Sequence, residues 1–296
     1  MDRCLVAGHV NWDVTLRVDT LPRADGEATI RTRRGSGGGS AANVAVGLSG
    51  LGVDVSILGS VGDDEYGARL ERSLDDAGID CAGLVPVSGA ETAVKYLLVD
   101  DEGAVSILGN NGANEALESA DVDPTTVRRA DHVHLTSQRP DTARYIADVA
   151  AEAGVSVSFD PGRRIADRTY DETIERADVL FLTGREAEAL RGSGAGGLAF
   201  GERIVVVTAG DDGAVVHAPD GTSHHAGYDV PTVDTSGAGD AFAAGFLTAW
   251  WDDGDCDRAL RVGNACGAVA AARNGAQTTL TRKRIARLVD DLDAYE

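Results

Sequence analysis

Short apolar runs alternate with amphipathic segments along most of the chain. Several amphipathic segments end in glycine, as helices commonly do. Continuous apolar runs separated by helices predict a mainly parallel sheet covered on both faces, which is a three-layer α/β/α architecture. The predicted strands are 4–10, 54–62, 132–137, 155–160, 179–183, 203–210 and 214–219. The predicted helices are 41–52, 66–78, 141–154, 183–194, 238–251, 257–276 and 282–295.

Two segments break this alternation. Residues 28–34 and 93–109 have the pattern of half-exposed strands, and the second turns back at Glu102. Antiparallel strands inserted in an α/β domain predict a small separate sheet, which we expect to act as a lid. We therefore expect a single domain over 1–296, with lid strands inserted at about 14–36 and 92–109.

The composition is that of a soluble globular protein, with 43% hydrophobic and 25% charged residues. No run approaches the roughly 20 apolar residues of a membrane helix, so no membrane association is expected. The four cysteines lack the close spacing of metal sites. This favours reduced thiols and a cytoplasmic location.

The charge is strongly one-sided, with 48 acidic and 27 basic residues and a net charge of −21. Aspartate supplies 34 of the acids, and the only lysines are Lys95 and Lys283. Abundant aspartate with scarce lysine predicts adaptation to a salt-rich cytoplasm, where high ionic strength screens self-repulsion. An ordinary acidic protein is the alternative. Because no basic stripe is present, we expect no nucleic-acid partner.

The sequence VDTSGAGDAFAAGF, residues 233–246, joins the strand-like YDVPTV to a helix of small apolar residues. Gly237, Ala238 and Gly239 therefore fall at a helix N-terminus, where backbone N–H groups and the helix dipole favour a phosphate. Asp240 projects beside the same anion site, which suits a carboxylate that takes a proton from an acceptor hydroxyl in phosphoryl transfer. A capped helix with an acidic first turn is the alternative, but it leaves the Gly-Ala-Gly sequence unexplained.

Other phosphate-binding signatures are absent or weak. Neither lysine follows a Walker-type loop, and the HRD and DFG motifs of protein kinases do not occur. GSGGGS at 35–40 partly resembles a dinucleotide fingerprint, but the polar IRTRR before it does not fit a buried strand.

These motifs resemble those of the PfkB, or ribokinase-like, family of carbohydrate and nucleoside kinases. DTSGAGDAFAAGF is similar to the family's C-terminal signature, and GGGSAANVAVGLSGLG at 37–52 to its N-terminal one. AGHVNWD, VVTAGDDGA and NACGAVAAARNGAQ are similar to its first strand, nucleotide turn and closing helix, in the right order. The resemblance covers the chain and implies a ribokinase-like α/β fold, ATP and Mg²⁺ as cofactors, and a sugar or sugar acid as substrate. Lid strands in this family often pair between subunits, which implies a homodimer.

The resemblance also implies roles for individual residues. Asp240 would be the general base, and the backbone of Gly237, Ala238 and Gly239 would form an anion hole for the γ-phosphate. The residues that match sugar-binding positions are Asn11, Asp13, Gly39 and Asn43. The residues that match nucleotide contacts are Thr183, Glu186, Thr208, Gly210, Gly213 and Asn264, with Glu186 also acting on Mg²⁺ through water. The residues that match a monovalent-cation site, which K⁺ would suit, are Asp234, Ser236, Ala270, Gly275 and Thr279.

Two departures from the family pattern bear on the metal and the substrate. The usual Asn-x-x-Glu motif begins here with Thr183 instead of Asn, so the sequence leaves undetermined which groups surround the metal. Where ribokinases carry a sugar-contacting Glu, this chain has Gln138 and Arg139, which argues against ribose itself.

A cationic lid is a further candidate feature. Arg31 and Arg33 share one face of the predicted lid strand, and Arg34 and Lys95 also lie in lid segments. If that face meets the cleft, it could receive a carboxylate or phosphate of the substrate. A solvated edge strand guarded by charge is the alternative.

Three functions are considered. An ATP-dependent sugar or sugar-acid kinase accounts for most of the motifs. A nucleoside kinase of the same fold would need a platform for the base, for which Trp12 is the candidate. A non-catalytic sensor of a sugar or nucleotide would have no need of Asp240.

Overall fold

The computed structural model describes residues 3–192 and 203–289, with no account of the side chains of 191 and 192. The strands in these ranges are β1 (Arg3–Ala7), β2 (Asn11–Val18), β3 (Ile30–Gly38), β4 (Asp54–Gly62), β5 (Ile79–Val87), β6 (Val94–Val99), β7 (Val105–Gly109), β8 (His132–Thr136), β9 (Ser156–Asp160), β10 (Val179–Thr183), β11 (Ile204–Thr208), β12 (Ala214–Ala218) and β13 (Gly221–His225). The helices are α1 (Ser40–Gly50), α2 (Glu65–Asp76), α3 (Pro124–Arg129), α4 (Pro140–Ala153), α5 (Asp171–Arg176), α6 (Gly184–Gly192), α7 (Ala238–Asp253), α8 (Cys256–Ala271) and α9 (Arg282–Ala286).

The central sheet has nine strands in the order β13-β12-β11-β10-β9-β8-β1-β4-β5. The pairs from β11 to β5 are all parallel, as predicted. The last two strands, β12 and β13, are antiparallel. Only residues 209–213 connect β11 to β12, and a crossover to a parallel strand needs a dozen or more residues.

Helices cover both faces of this sheet, which confirms the three-layer prediction. Alternate residues of β1 point to opposite layers: Val6 packs into a core with α1, α7 and α8, and Leu5 into a core with α4 and α5. Among the described residues, no helix combines the length and apolarity that crossing a membrane requires.

The small sheet has four strands in the order β3-β2-β6-β7, and we call it the lid. Its outer pairs are antiparallel, but its central pair, β2 with β6, is parallel. An entirely antiparallel lid was therefore the wrong expectation. The long excursion through α1, β4, α2 and β5 brings the chain back in the same direction, which allows parallel pairing.

Several local predictions differ from the structure. Strands β5 and β13 were not predicted; β5 carries Pro86 at a sheet edge, where the missing N–H is tolerated. The strand-like residues 228–233 have no regular structure. Helix α9 is shorter than the predicted 282–295, since it ends at Ala286 and is followed by a turn; residues from 290 lie outside the described range.

Candidate active site

A cleft of about 540 Å³ opens at the carboxyl edge of the central sheet. It is lined by the residues that end or follow five parallel strands, and the lid forms another wall through Asp13, Lys95, Leu97 and Ile107. Ligands of open α/β sheets bind at this edge. The strand-end residues are His9, Ser137, Asp160, Thr183 and Thr208.

The N-terminus of α7 lies on the cleft. Gly237 is its N-cap, in a left-handed conformation (φ 73°), and no side chain caps the first turn. Ala238 N donates to the carbonyl oxygen of Thr235 at 3.2 Å, whereas the N–H groups of Gly237 and Gly239 have no hydrogen-bond partner among the described residues and are open to a ligand. A Cβ on Gly239 would meet no atom within 4 Å, whereas a Cβ on Gly237 would lie 2.1 Å from the carbonyl oxygen of Ala276. Gly237 shapes the turn, and Gly239 leaves the space above the amides empty.

Asp240 lines the cleft beside these amides. Its Oδ2 accepts a hydrogen bond from Asn43 Nδ2 at 2.8 Å. Desolvation raises the pKa of Asp240, and the Asn43 hydrogen bond and the Lys95 charge oppose that rise. Asn43 Oδ1 is buried and has no hydrogen-bond partner, so an acceptor is available for a hydroxyl beside the carboxylate.

The predicted sugar-binding residues come together around Asp240, with one difference. Asp13, Gly39 and Asn43 line the cleft, but Asn11 is fully buried behind it. Asn11 Nδ2 donates to Asp13 Oδ1 at 2.5 Å, so it orients the carboxylate that faces the cleft. Burial raises the pKa of Asp13 to about 6. Gly39 has φ 96°, and a Cβ there would lie 2.3 Å from the carbonyl oxygen of His9.

A second cavity of about 1520 Å³ adjoins the cleft and shares Thr183, Glu186, Thr208 and Gly239 with it. The two cavities therefore meet at the N-terminus of α7. All six residues that the sequence matched to nucleotide contacts line this second cavity: Thr183, Glu186, Thr208, Gly210, Gly213 and Asn264.

The departure at Thr183 has a structural explanation. Thr183 N donates to Glu186 Oε2 at 2.7 Å, and Glu186 N donates to Thr183 Oγ1 at 3.3 Å. This reciprocal pair is a capping box at the start of α6. Thr183 therefore holds the Glu186 carboxylate at the N-terminus of α6.

Asp160, which the sequence analysis missed, lies at the end of β9 and lines the cleft. Burial, followed by the charges of Asp240 and Glu186, raises the pKa of Asp160 to about 7. Crowded carboxylates of this kind suit a hard divalent cation. The described residues contain no group of three His, Cys, Asp or Glu side chains that could hold a metal. The donors present fit Mg²⁺, which typically binds one or two carboxylates together with water and substrate phosphates.

Three of the residues matched to a monovalent-cation site meet where the loop before α7 touches the loop after α8. Asp234 accepts from Ser236 N at 2.9 Å through Oδ1 and from Gly275 N at 2.9 Å through Oδ2. The carbonyl oxygen of Ala270 accepts from Arg273 N, and that of Thr279 from Arg284 Nη1. Protein donors already occupy these oxygens, so the contacts of these loops do not by themselves indicate a cation.

Arg31 and Arg33 lie on the Trp12 face of the lid, away from the cleft, whereas Arg34 stands opposite Thr15 on the face of Asp13 but does not line the cleft. Arg31 pairs with Asp101 at 2.9 Å and Arg33 Nη2 donates to Tyr66 OH at 3.1 Å; these arginines and Arg34 are exposed on edge strand β3. The solvated-edge alternative holds. A strand periodicity identifies residues that share a face but does not tell which face meets a cleft.

Trp12 is likewise turned away from the cleft. It neighbours Asp13 on β2, so the two side chains point to opposite faces. The Trp12 ring stacks on Tyr66 with 5.5 Å between ring centroids, and Arg69 lies over it at 6.0 Å. A base platform at Trp12, the feature on which the nucleoside-kinase hypothesis depended, is therefore absent from the cleft.

The cleft is nevertheless lined by four cationic side chains, and of these the sequence analysis considered only Lys95. Arg163, Arg164 and Arg168 follow β9 and line the cleft opposite the lid. Gln138 and Arg139 do not line it: Gln138 is buried, and partly exposed Arg139 pairs with Asp141 at 2.8 Å. The sequence signal for the arginines was the DPGRR run directly after a buried strand.

Comparison with known proteins agrees with this geometry. Residues 1–283 match the model of the pfkB family carbohydrate kinases. The chain is 57% identical over 293 residues to an ATP-dependent ribose-1-phosphate kinase of Halopiger xanaduensis, covering 98% of this chain and 99% of that protein.

Solved structures match over a similar extent. Ribokinase from Thermotoga maritima superposes with a TM-score of 0.86 at 26% identity, covering 97% of this chain and 99% of that one. The nucleoside kinase of Methanocaldococcus jannaschii superposes with a TM-score of 0.83 at 25% identity, covering 97% and 98%. Because the family model spans nearly the whole chain and the Halopiger relative matches it from end to end, the protein belongs to the PfkB family of carbohydrate kinases, which transfer a phosphoryl group from ATP.

Proposed function

We propose that the protein transfers the γ-phosphoryl group of ATP to a free hydroxyl of ribose 1-phosphate, giving ADP and a ribose bisphosphate. The observation that carries this proposal is the position of Asp240 in a cleft that meets the nucleotide cavity at one end and is walled by cations at the other. A neutral sugar gives those cations no partner, whereas a sugar phosphate does. The name of the Halopiger relative supports the same substrate.

The proton is proposed to move from the acceptor hydroxyl to Asp240. Burial raises the pKa of Asp240, which makes its carboxylate a stronger base than that of an exposed aspartate. Asn43 holds the carboxylate through one amide hydrogen, and its buried Oδ1 is available to accept from the sugar. Asp13, held by Asn11, gives a second acceptor for a hydroxyl on the lid side.

The phosphoryl group is proposed to pass over the first turn of α7. The amides of Gly237, Ala238 and Gly239 are fixed by the helix, so they can stabilise the charge of the transferred group without reorganisation. Glu186 and Asp160 would hold Mg²⁺, directly or through water. When bound, Mg²⁺ neutralises charge on the phosphates. Thr208, Gly210, Gly213 and Asn264 would line the nucleotide site.

Two further features of the family are proposed for this chain. K⁺ would bind at the loops of Asp234, Ser236 and Gly275, together with Ala270 and Thr279; this is tested by replacing KCl with choline chloride at equal ionic strength.

A homodimer would form through the lid, whose strand β7 exposes Ile107 and Leu108 by 58% and 60%. Light scattering in molar KCl, with Leu108→Lys as the disrupting variant, tests the dimer.

The function is tested by measuring ADP release with MgATP in molar KCl. The acceptors are ribose 1-phosphate, ribose 5-phosphate, ribose, fructose, 2-keto-3-deoxygluconate and adenosine. We expect kcat/KM for ribose 1-phosphate to exceed that for each other acceptor by at least about 10-fold, which is the selectivity of one charged hydrogen bond. Preference for a neutral sugar or for adenosine would overturn the proposal, and binding without turnover of any acceptor would favour the sensor.

A further inference from the structure

Most cationic and anionic side chains of the cleft lie at different ends, and Asp13, which stands beside Lys95, is the exception. Asp160, Glu186 and Asp240 lie at the end that meets the nucleotide cavity, and the pKa of Asp160 responds to the other two. The other end has Lys95 and Arg164, and both act on the pKa of His9, which burial lowers to about 4. His9 is therefore neutral near neutral pH. In a chain with net charge −21, a cluster of cations at one end of a cleft requires an explanation.

Glu115 holds two of the arginines from behind the cleft wall. Its Oε1 accepts from Arg164 Nη1 at 2.8 Å, and its Oε2 accepts from Arg168 Nη2 at 2.9 Å. His9 Nε2 lies 3.2 Å from Oε1, so the neutral ring donates to the same carboxylate. Glu115 does not line the cleft, although its three partners do. The arginines are thus positioned before any ligand arrives.

Lys95 completes the cluster from the lid. It stands opposite Asp13 in the register of β6 and β2, so both side chains lie on the cleft face. Within 3–192 and 203–289, Lys95 forms no hydrogen bond or ion pair, and Arg163 forms none. Arg163 also lines the nucleotide cavity, so the cations at this end are Lys95, Arg164 and Arg168, with the carboxylates of Glu115 and Asp13 beside them. Three cationic groups from the lid and the body suit the three terminal oxygens of a phosphate monoester, whereas a carboxylate has only two oxygens.

We infer that the phosphate already present on the sugar binds between Lys95 of the lid and Arg164 and Arg168 of the body, with Glu115 as the positioning residue for the two arginines. The inference rests on the proposed function, because it assumes that the acceptor is a sugar phosphate. A single anion held from both sides joins the lid to the body. It also directs the free end of the sugar toward Asp240, whose pKa is affected by Lys95.

The first test compares Lys95→Gln and Arg164→Gln with two matched controls. Lys283→Gln alters the other lysine, which is exposed on α9, and Arg139→Gln alters a partly exposed arginine outside the cleft. For each cleft variant we expect KM for ribose 1-phosphate to rise about 10- to 100-fold, the loss of one charged hydrogen bond. KM for ATP should change less than about threefold, and both controls should match the wild type.

Calorimetric binding of ribose 1-phosphate without ATP gives a second readout that does not depend on turnover. We expect Kd to rise in parallel with KM in both cleft variants. Unchanged Kd and KM, in a wild type that does phosphorylate ribose 1-phosphate, would overturn the subsite and leave the proposed function standing. If the wild type fails to use this acceptor, the function falls. If it instead binds 2-keto-3-deoxygluconate in a Lys95-dependent manner, the anion is a carboxylate and the phosphate assignment falls.

Glu115→Gln distinguishes two roles of Glu115, which are positioning the two arginines and placing a negative charge next to them. The substitution removes a negative charge next to two arginines, so charge alone predicts a lower KM for ribose 1-phosphate. If Glu115 acts by fixing the guanidinium groups, KM rises instead, by about 3- to 10-fold, while kcat and KM for ATP are retained. Thermal unfolding of each variant shows whether the fold is kept. A lower KM in a folded Glu115→Gln would overturn the positioning role.

Discussion

The two ends of the cleft offer different kinds of donor to an anion. At the nucleotide end, backbone N–H groups of α7 face open space over Gly239. At the other end, Lys95, Arg164 and Arg168 offer charged side chains from separate segments. Backbone groups cannot move independently of their helix, so they suit a group whose charge changes during reaction. Of the side chains at the other end, Glu115 fixes Arg164 and Arg168, whereas Lys95 has a long flexible stem that can follow a ligand as the lid shifts. The comparison indicates that the donors of the reacting end are fixed by backbone, and those of the binding end by side-chain pairing in the body and by the ligand itself in the lid.

The largest effect should come from removing the proton acceptor at the backbone end. In Asp240→Asn we expect kcat to fall by about 10³-fold, because the amide cannot take the hydroxyl proton. Binding of ATP by calorimetry should be retained. Asp54→Asn, at an exposed aspartate on β4, is the matched control. An Asp240→Asn enzyme with near-normal turnover would exclude the general-base mechanism.

The second-largest effect should come from filling the space above the backbone amides at the start of α7. A methyl group at Gly239 meets no protein atom, so Gly239→Ala should fold normally yet lower kcat by about 10²-fold, similar to the loss of one oxyanion-hole donor. Gly237→Ala should instead lower the unfolding temperature, since its Cβ would clash with the carbonyl of Ala276 and the position has φ 73°. If Gly239→Ala had the same kcat as the wild type, the transferred phosphoryl group would not pass over Gly239.

The carboxylates with raised pKa values are the cleft side chains that should respond to pH near neutrality, because arginine and lysine stay charged from pH 6 to 8. The pKa of Asp160 is raised to about 7, so at limiting Mg²⁺ the activity should rise up to about tenfold per unit as the pH increases through 6 to 7, because the proton competes with the ion for this carboxylate. The free energy of unfolding should change with pH in the opposite direction. Between the unfolded pKa near 3.8 and the folded value, the folded state binds the extra proton, and its stability falls as the pH rises. Denaturation of Asp160→Asn should therefore show a gain over wild type that grows with pH, by up to about 1.4 kcal/mol per unit.

The smallest effect concerns the residue that departs from the family motif. Thr183→Asn retains a side-chain cap for α6, so kcat should change less than about threefold. Thr183→Ala removes the acceptor for Glu186 N and should lower the free energy of unfolding by about 1 kcal/mol. Urea denaturation and steady-state kinetics measure these changes. A tenfold gain in kcat for Thr183→Asn would mean that threonine impairs the metal shell.

The sequence allowed prediction of features that are local in the chain. The Gly-Ala-Gly sequence at the start of α7 and the parallel core strands follow from neighbouring residues, whose pattern directly reflects the helix end or the buried strand. The match of Asn11, Asp13, Gly39 and Asn43 to sugar positions depended on the family resemblance. Their separate tasks, with Asn11 behind Asp13, required the structure.

Features assembled from distant segments could not be predicted. Lys95, Glu115 and Arg164 meet only because the lid crosses the carboxyl edge of the sheet. The face of a lid strand that meets the cleft depends on register, so the periodicity at Arg31 and Arg33 could not identify it. Strand β2 begins with polar residues that serve the cleft, and this obscured its strand pattern.

The scarcity of lysine has a practical consequence for chemical labelling. A protein of ordinary composition presents many side-chain amines, and an acylating reagent distributes itself among them. Here such a reagent can find only two, and one of them lines the cleft. Lys283→Arg would leave Lys95 as the single side-chain amine of the chain. An acylating fluorophore or affinity reagent would then have Lys95 and the α-amino group as its amine targets, and its reaction rate at Lys95 would report whether a ligand occupies that end.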